Sequence, residues 1–270
     1  MSATAPPPVT ASPAKNAPAP PAPAPPKPRV GELHDSGTVH RDSVDADRWV
    51  ANGVVKVTGD VHLGDGKLGG TVSIGGKLSA ATLEYRGTLD VDGAVDANGS
   101  LAGSGALRTG TTLHATTADL RGIVRISGAV TVDRTLTLRG SVAAPSATVG
   151  ELDLEGEAHI PGDLVGTTIQ IRLKKDSDFG TVRARSVVLH AKRPNLVDKV
   201  FFRTVSVKVA RVEADSADVE GVDVHFVRAP QITLGPDAHV TEYEGTIVKQ
   251  HPSSRVGFES KSPAPYGLRR

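Results

Sequence analysis

The sequence predicts an all-β fold, a single-stranded β-helix or solenoid of about three short strands per turn with disordered tails, and three observations predict it. Glycines recur every six residues, at Gly53 and Gly59, at Gly87, Gly93, Gly99 and Gly105, at Gly122 and Gly128, and at Gly150, Gly156 and Gly162. Aliphatic residues fall two and four places after a glycine, as in Gly53-Val54-Val55-Lys56-Val57, Gly59-Asp60-Val61-His62-Leu63 and Gly128-Ala129-Val130-Thr131-Val132. Large rings are rare where the pattern is strongest: between Val50 and Asp178 the one aromatic residue is Tyr85. Side chains alternate across a strand, so each unit buries its two aliphatics on one side and then turns a corner. Strands this short cannot build long hairpins, but they can coil, each turn lying on the last, around a narrow core of Val, Leu, Ile and Ala.

Residues 1–30 are rich in Pro and Ala and too poor in large apolar groups to offset the entropy of ordering, so an extended, disordered tail is expected. Residues 31–52 form a polar segment of mixed charge, and Trp49 at its end is a candidate lid over the open first turn. The β-helix itself is expected over 53–249. Extra residues at Gly64-Asp65-Gly66 and Gly69-Gly70 read as corner insertions, because a slip inside a strand would turn its aliphatic set outward. Within the coil, 172–211 is a basic segment, and Lys192 to Asp198 reads as a projecting loop. Taking about 18 residues per turn and about 4.8 Å per turn, the rod has roughly ten or eleven turns and a length on the order of 50 Å. Residues 250–270, again rich in Ser, Pro and Lys, are expected to form a disordered tail.

The chain has no cysteine and a net charge of +1, which excludes disulfides and thiolate metal sites and gives no global attraction to nucleic acid. The first residues carry neither an apolar run nor early positive charge, so neither a secretory leader nor a membrane helix is expected and the cytoplasm is the expected compartment.

Candidate chemistry is sparse. His62, His114, His159, His225 and His239 each stand between core residues, on the outward phase, and none has metal-ligand spacing. Asp90, Asp92 and Asp96 form an outward acidic row without the glycine-aspartate nonapeptide of calcium-binding coils. The run Gly64-Asp65-Gly66-Lys67-Leu68-Gly69-Gly70 lacks the Gly-Lys-Ser/Thr ending of a phosphate loop and reads as a corner, as do Gly103-Ser104-Gly105. No catalytic residue, cofactor or metal is expected. Lys174, Lys175, Arg183, Arg185, Lys192 and Arg193 are the candidate basic surface for a membrane or another partner, while the acids that follow at Glu213, Asp215 and Asp218 favour charge pairing between turns.

The Gly-x-aliphatic-x-aliphatic units from Gly53 to Gly162, the run Gly87-Thr88-Leu89-Asp90-Val91-Asp92-Gly93-Ala94-Val95-Asp96 and the tails around a central coil together resemble the bactofilins. The resemblance implies a right-handed β-helix and end-to-end assembly into non-polar, nucleotide-free filaments that serve as bacterial cytoskeletal scaffolds for other proteins. The hexad period itself is common to both hands. On this reading the principal partner is a second copy. Val55, Val57, Val61 and Leu63 at one end, and Val240, Tyr243 and Ile247 at the other, are the candidate polymer contacts. Two other readings stay open. Hexapeptide-repeat acyltransferases also coil in sixes and would use a histidine such as His62, His114 or His159. A monomeric adaptor would bind a membrane or nucleic acid through the basic segment.

Overall fold

A computed structural model describes residues 30–191 and 206–260. The backbone makes fourteen strands that stack in sequence order as one parallel coil of about 13 turns. They are β1 (Val30–Arg41), β2 (Val44–Val57), β3 (Val61–Ile74), β4 (Leu78–Val91), β5 (Val95–Thr109), β6 (Leu113–Ile126), β7 (Val130–Ala143), β8 (Ala147–Val165), β9 (Thr168–Leu173), β10 (Ser177–Ala191), β11 (Val207–Glu220), β12 (Asp223–Leu234), β13 (His239–Gln250) and β14 (Arg255–Glu259). Most of these strands run almost the whole way round a turn and bend at its corners. In the middle one turn is divided, so that β10 pairs with β8 over Asp178–Arg183 and with β9 over Ser186–Ala191.

Burial displays three faces per turn. In β3 the buried pairs are Val61 and Leu63, Gly66 and Leu68, and Val72 and Ile74, and in β4 they are Leu78 and Ala80, Leu83 and Tyr85, and Leu89 and Val91. The aliphatics two and four places after a glycine therefore face inward, as the hexads require. The core they fill is continuous, made mainly of Val, Leu, Ile and Ala, with Trp49, Tyr85 and Phe179 as its rings.

One corner is a column of glycines. Gly37, Gly53, Gly70, Gly87, Gly105, Gly122, Gly140 and Gly156 stand in register, each with φ between 78° and 140°. A Cβ at any member from Gly53 onward would run into the backbone carbonyl of the glycine one turn earlier. Both the left-handed backbone and the close approach demand glycine there. Differences in turn length are taken up elsewhere: the register shifts at Ala80/Thr82, Ala97/Ser100, Ala115/Thr117 and Val132/Thr135 all fall at one other corner.

The coil is longer than the hexads indicate. It begins at Val30, not Gly53, because β1 and β2 form complete turns with polar residues on the outward phase. Trp49 is consequently no lid; it is fully buried in the second turn, beneath β1. At the other end β14 pairs with β13, so the ordered chain reaches past 249. Fourteen stacked strands at about 4.8 Å make a rod on the order of 60 Å long. The glycine-rich run 64–70 is more than a corner: Gly66 holds an inward position directly below Trp49. Gly103 does the same below Tyr85. Both rings fill space that a side chain in the next turn leaves empty.

Candidate functional site

A stack of parallel strands satisfies its backbone groups internally and leaves unpaired donors and acceptors at its two extremities. Those extremities and the outward columns along the rod are the places where this fold can meet a partner.

The N-terminal extremity of the described residues is β1. Its inward residues include Leu33 and Val39, packed against the core, and Asp35, which is 6% exposed. A carboxylate in a core position needs partners. Asp35 accepts hydrogen bonds from Trp49 Nε1 at 2.9 Å, from Arg41 Nε at 2.9 Å and from Arg41 Nη2 at 2.6 Å. The Arg41 hydrogen bonds hold the Asp35 carboxyl below its ordinary range, against the opposing effect of burial. An inward charge at a terminal strand deters edge-to-edge pairing, so this end is blunted.

The C-terminal extremity has the opposite character. β14 covers only the start of β13, through His239–Arg255, Val240–Val256, Glu242–Phe258 and Tyr243–Glu259. Glu244–Gln250 has no strand on its far side among the described residues. Around this open step stand Phe258, 62% exposed, and Val248, 58% exposed, with Val256, Ile247 and Tyr243 packed partly into the core.

The expected joint residues are redistributed accordingly. Val55 and Val57 lie in the second turn and Val61 and Leu63 in the third, all buried under β1, so none reaches the extremity. Val240 is buried between β12 and β14. Ile247 does lie on the open step, and Tyr243 sits just before it, still paired with Glu259 of β14. The sequence reading missed Phe258 and Val248, because a strand after Pro252 carries no glycine hexad; an exposed Val-x-Phe following the last repeat is the signal that could have found it.

The basic segment is largely neutralised by neighbouring turns. Arg172 pairs with Asp153 at 3.3 Å, Lys174 with Glu155, and Lys175 with Glu157 at 3.8 Å. Arg183 bridges Asp163 at 3.2 Å and Glu213 at 2.9 Å, and Arg211 reaches Glu213 at 2.6 Å while lying over the Phe226 ring. These guanidiniums, Arg183 first, hold the Glu213 carboxyl below its usual range. Arg185 is exposed and makes no ion pair among the described residues. Lys192 and Arg193, and the loop expected at Lys192 to Asp198, lie outside the described residues.

The histidines are outward, as expected, and several meet an aspartate one turn away. His114 Nδ1 lies 3.0 Å from Asp96 and its Nε2 3.4 Å from Asp133. His159 contacts Asp178, and His190 and His239 lie 3.6 and 3.5 Å from Asp218 and Asp223. The Asp96 hydrogen bond raises the His114 pKa above its ordinary value, with Asp133 adding to it. Among the described residues no group of three or more His, Asp or Glu side chains is arranged to hold a metal ion. Asp90 lies on β4, Asp92 is exposed at the corner after it, and Asp96 on β5 pairs with His114 and Lys77, so the three do not form one solvated row.

No protein-family model, curated protein or solved structure matches this chain.

Proposed function

We propose that the chain is a structural scaffold that assembles end to end without nucleotide, in the manner of the bactofilins its repeats resemble. The open C-terminal step carries this reading: among the described residues the second half of β13 has no strand on its far side, and this extremity exposes Val248 on β13 and Phe258 on β14. A second copy offers the matching edge and a matching apolar cross-section, and stacking would extend both the ladder and the core. The blunted Asp35 end gives this step the first place in assembly, with like end meeting like end. On this proposal the chain is a cytoplasmic protein whose principal partner is itself. It has no catalytic role, and other proteins are carried along its flanks.

Phe258→Asp tests the reading, because the side chain is exposed and its loss does not disturb the coil. Assembly seen by sedimentation and negative-stain microscopy is expected to fall to single rods, with the melting temperature unchanged. Equal assembly by wild type and variant would reject this joint. Ile247→Arg is a second variant at the same step, whereas Val61→Arg, buried in the third turn, would unfold the coil and report on stability instead.

A further inference from the structure

Charge along the rod is sorted by corner. Between 78 and 143 the arginines are Arg86, Arg108, Arg121, Arg125, Arg134 and Arg139. All but Arg134 stand either one residue before or three residues after a member of the glycine column, namely Gly87, Gly105, Gly122 or Gly140. Register converts this spacing into columns on the two flanks of one edge. Arg121 lies directly above Arg139 on one flank, and Arg108 directly above Arg125 on the other. Asp90 is the one acid in the second column between Lys56 and His159.

Like charges directly opposite one another on adjacent strands are destabilising. The C-terminal turns avoid them by alternation, through Arg183, Glu213, Arg228 and Glu244 in one column and Asp178, Lys208 and Asp223 in another. Around the glycine edge the rule is broken. Arg86 and Arg121 have same-strand carboxylates, Glu84 at 2.9 Å and Asp119 at 3.4 Å. Glu155 stands opposite Arg139, and its pKa is lowered by Lys174 first and by the Arg139 charge as well. Arg108 and Arg125 make no ion pair within 4 Å among the described residues, with Asp90 the acid opposite Arg108.

A second, independent feature falls on the same edge. Of the large apolar side chains exposed among the described residues, Val30, Val248 and Phe258 belong to the extremities. The other two, Val54 at 52% and Ile123 at 47% exposure, each directly follow a glycine of this column. An edge with exposed aliphatics on its crest and the stacked, unpaired Arg108 and Arg125 on one flank has the chemistry of a surface that rests on anionic lipid: the aliphatics enter the interface and the guanidiniums meet headgroup phosphates.

We propose that the rod lies lengthwise on an anionic bilayer through its glycine edge, with Arg108, Arg125 and Ile123 as the principal contacts. The inference is separate from end-to-end assembly and from the paired basic segment at 172–211. Its test is co-pelleting of the full chain with vesicles of phosphatidylcholine containing about one quarter phosphatidylglycerol, set against phosphatidylcholine alone. Binding is expected to anionic vesicles only and to weaken with salt. It should fall about tenfold or more in Arg108→Glu/Arg125→Glu and fall also in Val54→Asp/Ile123→Asp, which keeps every arginine. Lys174→Ala/Lys175→Ala should bind as wild type does. Circular dichroism and melting verify that each variant folds. Absent binding by wild type, equal binding by both edge variants, or binding to DNA or RNA but not to vesicles would overturn the proposal. The Phe258→Asp rods, which do not assemble, should still bind.

Discussion

At the scale of single residues, the core matches large rings against missing side chains. Tyr85 is 2% exposed, its hydroxyl has no hydrogen-bond partner among the described residues, and burial pushes its pKa up to about 12. An unpartnered buried hydroxyl costs its desolvation, so Tyr85→Phe is expected to leave stability unchanged or raise it by about 1 kcal/mol in chemical denaturation. Gly103→Ala should do the opposite and cost about 1–3 kcal/mol, because the new Cβ would fall inside the Tyr85 ring. Asp35 supplies a pH dependence. Its folded pKa is lowered chiefly by Arg41, so its contribution is complete above the unfolded value of about 3.9 and is lost as pH falls through the folded value. Melting curves of Asp35→Asn, compared with wild type between pH 7 and the acid limb, should show a lower plateau at neutral pH and a shallower decline. A variant that melts as wild type does at pH 7 would contradict the role given to this carboxylate. His114 acts in the other sense: its raised pKa gives a contribution fully present below the ordinary histidine range and lost as pH rises through the folded value.

At the scale of the turn, the two halves of the rod hold their corners differently. Gly37 to Gly156 form an unbroken column, after which Leu173 takes the next register position and glycine gives way to alternating ion pairs. The backbone of the first half is therefore the more sensitive to corner substitutions. Gly122→Val, at φ 118° and against the Gly105 carbonyl, is expected to cost about 2–4 kcal/mol, whereas Gly31→Ala, with nothing within 4 Å of its Cβ, should change little. Thermal melts of the two variants compare them directly, and equal effects would refute the steric argument. The hexads made this half legible in sequence, because glycine and paired aliphatics mark corner and face at once. The same signal failed at Gly66 and Gly103, where glycine is an inward residue and only the ring above explains it. It failed again at β1 and β14, where inward register positions hold Asp35 and Glu259, and few corners are glycine.

At the scale of the whole molecule, the fourteen stacked strands of the described residues form one rod, with a buried Asp35 in its first strand and a partly uncovered strand with exposed Val248 and Phe258 at its other end. The coil, its narrow core and the outward histidines were readable from periodicity, since alternation fixes which side of a strand each residue takes. The ends were not, because a repeat reports what is common to turns and an extremity is where turns differ. The pairing of the basic segment was only half readable: the acids follow it in sequence, but the register that places Glu213 beside Arg183 crosses thirty residues. The difference between the ends leads to a specific form of assembly. Electron microscopy of the purified chain without nucleotide, across a concentration series, measures it most directly. Wild type should grow from rods on the order of 60 Å to paired rods joined at their C-terminal ends and then, at higher concentration where the blunted Asp35 ends also meet, to filaments, while Phe258→Asp stays as single rods through the range in which wild type pairs. Wild-type rods that stay single at every concentration, or Phe258→Asp filaments indistinguishable from wild type, would contradict the account.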